Sequence, residues 1–267
     1  MRQAYKKLLF VLEFGLGDAI KSIHYVNQLF DRDTDNYILH VSYRMEFVRE
    51  FLELVKPYLP PFQIIEGGEL LNLNHRPVRL DIAEVYRRYP GYEIHNLMYG
   101  EDPSVYVNDY LWLEKKPFDY SKVQYSSDLK LDNFSVFSVD VLRKDRVVNA
   151  EFWKATEKEW LRSGTAVVLI GKEPENQVDD FVRPNIHYQP EPETLDLRNK
   201  TNIHDLFYLV KNCNEAVFPC NGLAVLAYEL GAKCRTFGNF EVKYSYDYRF
   251  FHREKEGFHL LDVNDYR

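Results

Sequence analysis

No apolar stretch in this chain approaches the roughly 20 residues needed to span a bilayer. The opening residues, Met1 to Lys7, lead into only one short apolar run. They therefore predict no secretory leader, and the expected location is the cytoplasm. Cysteine is scarce: Cys213, Cys220 and Cys234 are the three in 267 residues. They are odd in number, lack metal-ligand spacing and fall in one half of the chain, which fits buried free thiols rather than a disulfide framework. Excess positive charge is missing too. The formal net charge is −7, so composition makes no electrostatic case for nucleic-acid binding, although a local basic groove stays open. Glycine is sparse, at 12 residues. No G-x-S-x-G elbow occurs, and the eight histidines show no paired metal-binding spacing. Hydrolase-elbow and transition-metal chemistry lose their usual signatures.

What the chain does have is aromatic bulk, with 20 tyrosines and 18 phenylalanines. This is read as core volume. It also has an alternation of short apolar runs and amphipathic segments. Leu8 to Phe14 is a continuous apolar run suited to a buried parallel strand. Gly15 and Gly17 break it, and Asp18 stands where a helix N-cap belongs. Ile20, Ile23, Val26, Leu29 and Phe30 follow at helical spacing. Strands at 37–42 and 62–65 flank a helix at 47–58, giving β-α-β-α-β. From 78 to 130 the pattern blurs into expected loops, short helices and a crossover.

Order returns with a strand at 134–139, a helix at 150–162 stopped by Ser163 and Gly164, and a strand at 165–170 running into Gly171. A short strand is expected at 185–188. Asn202 caps the next helix, with Asp205 acting back on it. Glu215 to Phe218 is a strand. A sharp turn at Asn221 and Gly222 opens a helix that ends at Gly231, and Cys234 to Phe237 is the next strand. Strands alternating with helices of this length imply parallel sheets with right-handed crossovers. The expected class is α/β, two Rossmann-like domains facing a shared cleft. The expected bounds are 1–130, 131–249 and a tail, 250–267, returning to the first domain.

The turns at Gly15 to Asp18 and at Asn221 to Leu223 both follow strands, where a parallel sheet presents backbone N–H groups to anions. Gly222 and Leu223 are thus candidate phosphate contacts, or else form an ordinary strand-to-helix turn. Arg143, Lys144 and Arg146 follow the strand opening the second half. They are either a solvated basic loop or a clamp for a departing diphosphate. Lys200 and Thr201 precede a helix and either reach a nucleotide or merely lead into its cap. Asp31, Asp33 and Asp35 read as a solvated acidic turn, not a metal site.

The stretches Phe14 to Asp18, Val167 to Gly171 with Glu173, Asp196 to Leu206, and Cys220 to Gly238 resemble the heptosyltransferase-type glycosyltransferases. The resemblance covers most of residues 130–240 and about twenty-five residues at the N-terminus. It implies the two-domain GT-B fold in compact form and transfer of a sugar from a nucleoside-diphosphate sugar to an acceptor hydroxyl. It also implies that Asp18 is the catalytic base, and that Asn221, Gly222 and Leu223 hold the donor phosphates with Gly171, Lys200 and Thr201 near the nucleotide. No cofactor and no metal are expected beyond the sugar-nucleotide co-substrate. Cys220 and Val225 depart from the family pattern, which carries Asp and His there; a binding protein of the same fold without turnover is the competing class. A bacterial surface glycan is the acceptor the resemblance implies. A hydroxymethylated base in phage DNA is a second candidate, for which Arg76, Arg79, Arg87, Arg88, Lys115 and Lys116 would line a groove. An epimerase of the same fold would need an acid/base group from the second half that the sequence does not point to.

Overall fold

The structure is a computed structural model that describes residues 7–13, 15–41, 45–72, 79–96, 117–141, 146–171, 188–238 and 255–266. It divides into two compact units, Met1–Gln124 and Tyr125–Arg267.

The first unit runs β1 (Lys7–Glu13), α1 (Leu16–Leu29), β2 (Asp35–Val41), α2 (Met45–Val55), β3 (Phe62–Glu66), β4 (Leu71–Asn72), β5 (Arg79–Leu80), α3 (Ile82–Arg88) and β6 (Glu93–Asn96). Its main sheet is four-stranded and parallel, in the order β3-β2-β1-β6; β4 and β5 form a separate antiparallel pair. The strand β6 lies in the region whose pattern blurs in the sequence. It is short and carries polar Glu93, His95 and Asn96, so no apolar run marks it.

One face of this sheet packs Leu9, Val11, Leu39 and Val41 against Leu70 and Val85. On the same strand as Leu9 and Val11, Phe10 makes an edge contact with Phe30, 4.8 Å between centroids. Helix α1 is buried almost all round, polar Lys21, Ser22 and His24 included. Part of that cover is the segment after residue 117: the Phe118 N–H donates to His24 Nδ1 (3.0 Å), and the Tyr120 hydroxyl donates to the Ile20 carbonyl (2.6 Å).

The second unit runs β7 (Phe134–Phe137), α4 (Ala150–Arg162), β8 (Ala166–Leu169), β9 (Leu195–Asp196), α5 (Ile203–Asn212), β10 (Ala216–Pro219), α6 (Gly222–Leu230), β11 (Cys234–Gly238) and β12 (Phe258–Asp262). These strands form one six-stranded parallel sheet in the order β12-β11-β10-β7-β8-β9. β7 and β10 are buried along their whole length, which is why they read as apolar runs, broken only by the small, buried Ser135 in β7. Phe137, Trp153, Trp160, Tyr188, Val217 and Phe237 belong to one buried cluster.

One helix start and one helix end follow the sequence closely. Asn202 and Asp205 form a reciprocal capping box on α5, and Gly231 closes α6 in the left-handed conformation at φ +68°.

The tail is a correction. Residues 250–267 were expected on the first unit. The described part belongs to the second, where β12 pairs in parallel with β11 from Cys234↔Phe258 to Gly238↔Asp262. The final turn, Val263–Tyr266, is tied down as well: the Asn149 N–H donates to the Tyr266 carbonyl at 2.7 Å, Val263 is fully buried, and the Tyr266 ring meets Phe152 and Phe237. β12 covers the edge of β11 that would otherwise be unpaired. The division between units falls at 124/125 rather than 130/131. The segment expected as a strand at 185–188 lies outside the described residues except for Tyr188. Among the described residues no helix is long and apolar enough to cross a membrane.

Candidate functional site

In the second sheet the strand order reverses at β7: β8 lies on one side of it and β10 on the other. Where neighbouring connections leave a parallel sheet in opposite directions, a crevice opens at the strand C-termini, and ligands of α/β proteins bind there. The residues after β7 and after β10 meet at that point. The Asn221 side chain donates to the Asp140 carbonyl at 3.1 Å, and Arg146 Nη1 donates to the Cys220 carbonyl at 2.9 Å. Arg146, half-buried, is therefore fixed beside the turn that starts α6. Arg143 and Lys144 lie outside the described residues.

Asn221 is the N-cap of α6, and its Oδ1 accepts from the N–H groups of Leu223 (2.9 Å) and Ala224 (3.2 Å). The backbone donor expected at Leu223 is thus occupied by a side chain, the ordinary way in which a good N-cap satisfies a helix start. The Gly222 N–H has no acceptor among the described residues. Cys220 and Val225 are buried.

Beside β7, Gly171 follows β8 with φ +133°, and a Cβ added there would run into the Asp140 carboxylate. Its carbonyl accepts from the Asn199 N–H at 2.9 Å, while the Leu197 N–H reaches the Leu169 carbonyl at 2.9 Å. The turn from Leu197 to Lys200 is thereby folded over Gly171, with Asn199 at φ +59°. Lys200 is exposed and its Nζ donates to the Asp196 carbonyl at 2.9 Å; Thr201 precedes the Asn202 cap. Gly171, Lys200 and Thr201 thus share one stretch of the strand edge, next to Arg146, Asn221 and Gly222.

Sequence reasoning missed three residues here. Asp140 ends the run that begins with β7. Arg198 and Asp196 form a forked ion pair, with Nη2 to Oδ2 at 2.6 Å and Nε to Oδ1 at 3.0 Å. That pair holds the Asp196 carboxyl below its usual range. An Asp-x-Arg spacing leaving a strand was the available signal.

In the first sheet the order reverses at β1, between β2 and β6. Gly15, Gly17 and Asp18 follow β1 there. The N-cap of α1 is Gly15, not Asp18. Asp18 is the third helical residue, half-buried in the first turn, where a carboxylate complements the helix dipole. The N-cap position is thus not Asp18's. The acidic turn lies at the opposite end of the sheet, before β2. Asp31, Asp33 and Asp35 are exposed there, with the Asp33 N–H on Asp31 Oδ1 (3.1 Å) and Asn36 Nδ2 on the Asp31 carbonyl (2.6 Å). Arg87 and Arg88 pair with Glu84, each at 2.6 Å, and Arg88 also reaches Glu69 at 2.9 Å. Arg76, Lys115, Lys116 and the Arg79 side chain lie outside the described residues. Among the described residues no three His, Cys, Asp or Glu side chains converge as a metal site would require.

No model of a protein family matches the sequence, and no curated protein does. Solved structures do match its fold. The iron-containing dodecameric glycosyltransferase TibC of enterotoxigenic Escherichia coli is 12% identical, with a TM-score of 0.63 over 95% of this chain and 62% of its own. A glycosyl transferase family 9 protein of Veillonella parvula is 13% identical, with a TM-score of 0.62 over 99% of this chain and 88% of its own. The ADP-heptose lipopolysaccharide heptosyltransferase II of E. coli is 11% identical, with a TM-score of 0.59 over 96% and 90%. The chain spans about three fifths of the length of TibC and about nine tenths of the other two. Its fold is that of the heptosyltransferase-type, GT-B glycosyltransferases: two Rossmann-like α/β units, each with its own parallel sheet.

Proposed function

We propose that this protein is a glycosyltransferase that moves a sugar from a nucleoside-diphosphate sugar to an acceptor hydroxyl without a metal ion. One observation carries the reading: an Asn-capped helix start and a fixed arginine, Arg146, meet at the order reversal of the second sheet. A helix N-terminus and a guanidinium together match a diphosphate in charge and in hydrogen-bond donors. The fold shared with heptosyltransferases points the same way, and TibC has been solved with ADP-D-β-D-heptose.

In this mechanism the acceptor oxygen forms a bond to the anomeric carbon as the bond from that carbon to the diphosphate oxygen breaks. The hydroxyl proton goes to the Asp18 carboxylate. The electron pair leaves with the diphosphate, whose growing charge is met by Arg146 and the Gly222 N–H, with Arg143 and Lys144 as further candidates. The Leu223 N–H joins if the Asn221 side chain turns away. Gly171, Lys200 and Thr201 take the nucleoside side. A glycan is the favoured acceptor over phage DNA, because Arg87 and Arg88 are already neutralised by Glu84 and Glu69.

Titration calorimetry of ADP and UDP in EDTA tests the donor site, with Arg146→Ala as its control. Micromolar binding by the wild type that weakens by roughly 1.5–3 kcal/mol in the variant is expected, the range for a hydrogen bond to a charged group. Equal binding by both proteins would remove Arg146 from the site. Binding of nucleoside diphosphate without sugar transfer or hydrolysis would favour the competing reading, a sugar-nucleotide-binding protein that has lost turnover.

A further inference from the structure

We propose that Arg198 is a positioning residue that shapes the nucleoside side of the donor site, an inference that rests on the proposed function. The strand β9 is only two residues long, so its ladder bonds alone cannot fix the turn that leaves it. That turn, Leu197 to Lys200, includes a non-glycine residue in the left-handed region, Asn199. Such a conformation persists only where its surroundings impose it.

Arg198 imposes it. Its side chain is buried, with a residue exposure of 8%. Its fork grips the Asp196 carboxylate, its backbone N–H donates to the same carboxylate at 3.1 Å, and Nη1 reaches the Tyr188 carbonyl at 3.2 Å. Tyr188 in turn donates its hydroxyl to the buried carboxylate of Glu157 on α4 at 2.8 Å. The turn is thus braced from the helix layer through Tyr188 and Arg198 to Asp196. Asp196 also holds the Lys200 ammonium through its carbonyl.

Because Asp196 balances its charge, Arg198 does not act as a phosphate anchor. Its effect is on preorganisation: the turn over Gly171 is already formed when the nucleoside arrives. The phosphate subsite at Asn221, Gly222 and Arg146 is built from other strands and does not depend on it.

The test compares two ligands on full-length wild type, Arg198→Leu, Arg198→Lys and Asp196→Asn. The ligands are ADP, which needs both subsites, and inorganic pyrophosphate, which needs only the phosphate subsite. Melting curves establish that each variant is folded at the titration temperature. Arg198→Leu and Asp196→Asn are expected to weaken ADP about tenfold or more, with pyrophosphate within about twofold of wild type. Arg198→Lys should fall between, since an ammonium replaces the charge but not the fork. Should Arg198→Leu fail to fold, Asp196→Asn, at the half-exposed end of the pair, decides. Unchanged ADP affinity in a folded variant overturns the proposal, as does an equal loss for pyrophosphate, which marks a merely structural role. Failure of the wild type to bind ADP or UDP overturns the donor-site reading and this inference with it. Binding of UDP but not ADP moves the same comparison to UDP.

Discussion

Glu157 offers a demanding test of how the second unit is held together. Its carboxylate is fully buried on α4, yet it accepts from the Tyr188 hydroxyl, the Thr194 hydroxyl and the Glu191 N–H, all at 2.8 Å, and from Lys154 Nζ at 3.2 Å. The three short bonds join α4 to the segment leading into β9. Burying a carboxylate is costly unless it is paired and saturated with donors, and this one is.

Glu157→Ala would strand two buried hydroxyls and a backbone N–H and leave Lys154 with Glu191 and the Tyr188 ring as partners. Each buried donor left without an acceptor costs about 1–3 kcal/mol, so the three together should cost roughly 3–5 kcal/mol. At roughly 2–4 °C per kcal/mol, the melting transition of the second unit should fall by roughly 6–20 °C. Glu157→Gln keeps the shape. Its oxygen can still accept from the Glu191 N–H, which has no alternative role, and one hydroxyl can rotate to accept from the new amide. Its cost should be about 1–2 kcal/mol, the loss of charge assistance. Differential scanning calorimetry should therefore rank wild type above Glu157→Gln, and Glu157→Ala last. A Glu157→Ala protein melting within about 2 °C of wild type would refute the hub, since such a small shift corresponds to under about 1 kcal/mol.

Other outcomes follow from the same geometry. His40 is fully buried in β2, and burial lowers its pKa to about 4, with Glu66 opposing the shift. Its contribution to stability is complete above the unfolded value near 6.5 and is lost as pH falls towards 4, because the unfolded chain takes up the proton first. The first unit should lose about 3 kcal/mol across that window, and His40→Leu should flatten the profile in urea titrations. Gly171→Ala must place a side chain at φ +133° against Asp140; backbone strain of about 1–3 kcal/mol and lost ADP binding should appear together in melting and calorimetry. Asn202→Ala removes one half of the capping box on α5 and should cost about 1 kcal/mol, with ADP affinity nearly unchanged.

The legible parts of this fold are those where burial is two-sided. β7, β8 and β10 sit in the middle of a covered sheet and α6 is largely buried, so their sequences are nearly pure apolar runs punctuated by Gly171, Asn221 and Gly231. Caps were legible for the same reason: Asn202 and Asp205 act locally, and the spacing alone specifies both bonds. The edges were not. β6, β9 and β12 lie at sheet margins, where one edge is unpaired and burial is partial, and their pairing is fixed by partners distant in sequence. The tail was misplaced because nothing local in its sequence says which edge it joins; its pairing with β11 exists only in the folded sheet. Asp18 was assigned a capping role that belongs to Gly15, since a glycine at an N-cap leaves no side-chain signature. The brace through Glu157, Tyr188 and Arg198 spans 41 residues of sequence between its ends and exists only in three dimensions.

The central claim is transfer by a base at Asp18 with no metal ion. The direct measurement is release of nucleoside diphosphate from a panel of ADP- and UDP-sugars, with and without EDTA, by wild type and Asp18→Asn. The account predicts turnover by the wild type that survives chelation. It predicts a loss of roughly two to four orders of magnitude in Asp18→Asn, with a melting temperature lower by only a few degrees, because removing one carboxylate charge from a helix's first turn costs about 0.3–1 kcal/mol. Wild-type activity abolished by EDTA and restored by a divalent ion, or near-wild-type turnover in Asp18→Asn, would contradict it.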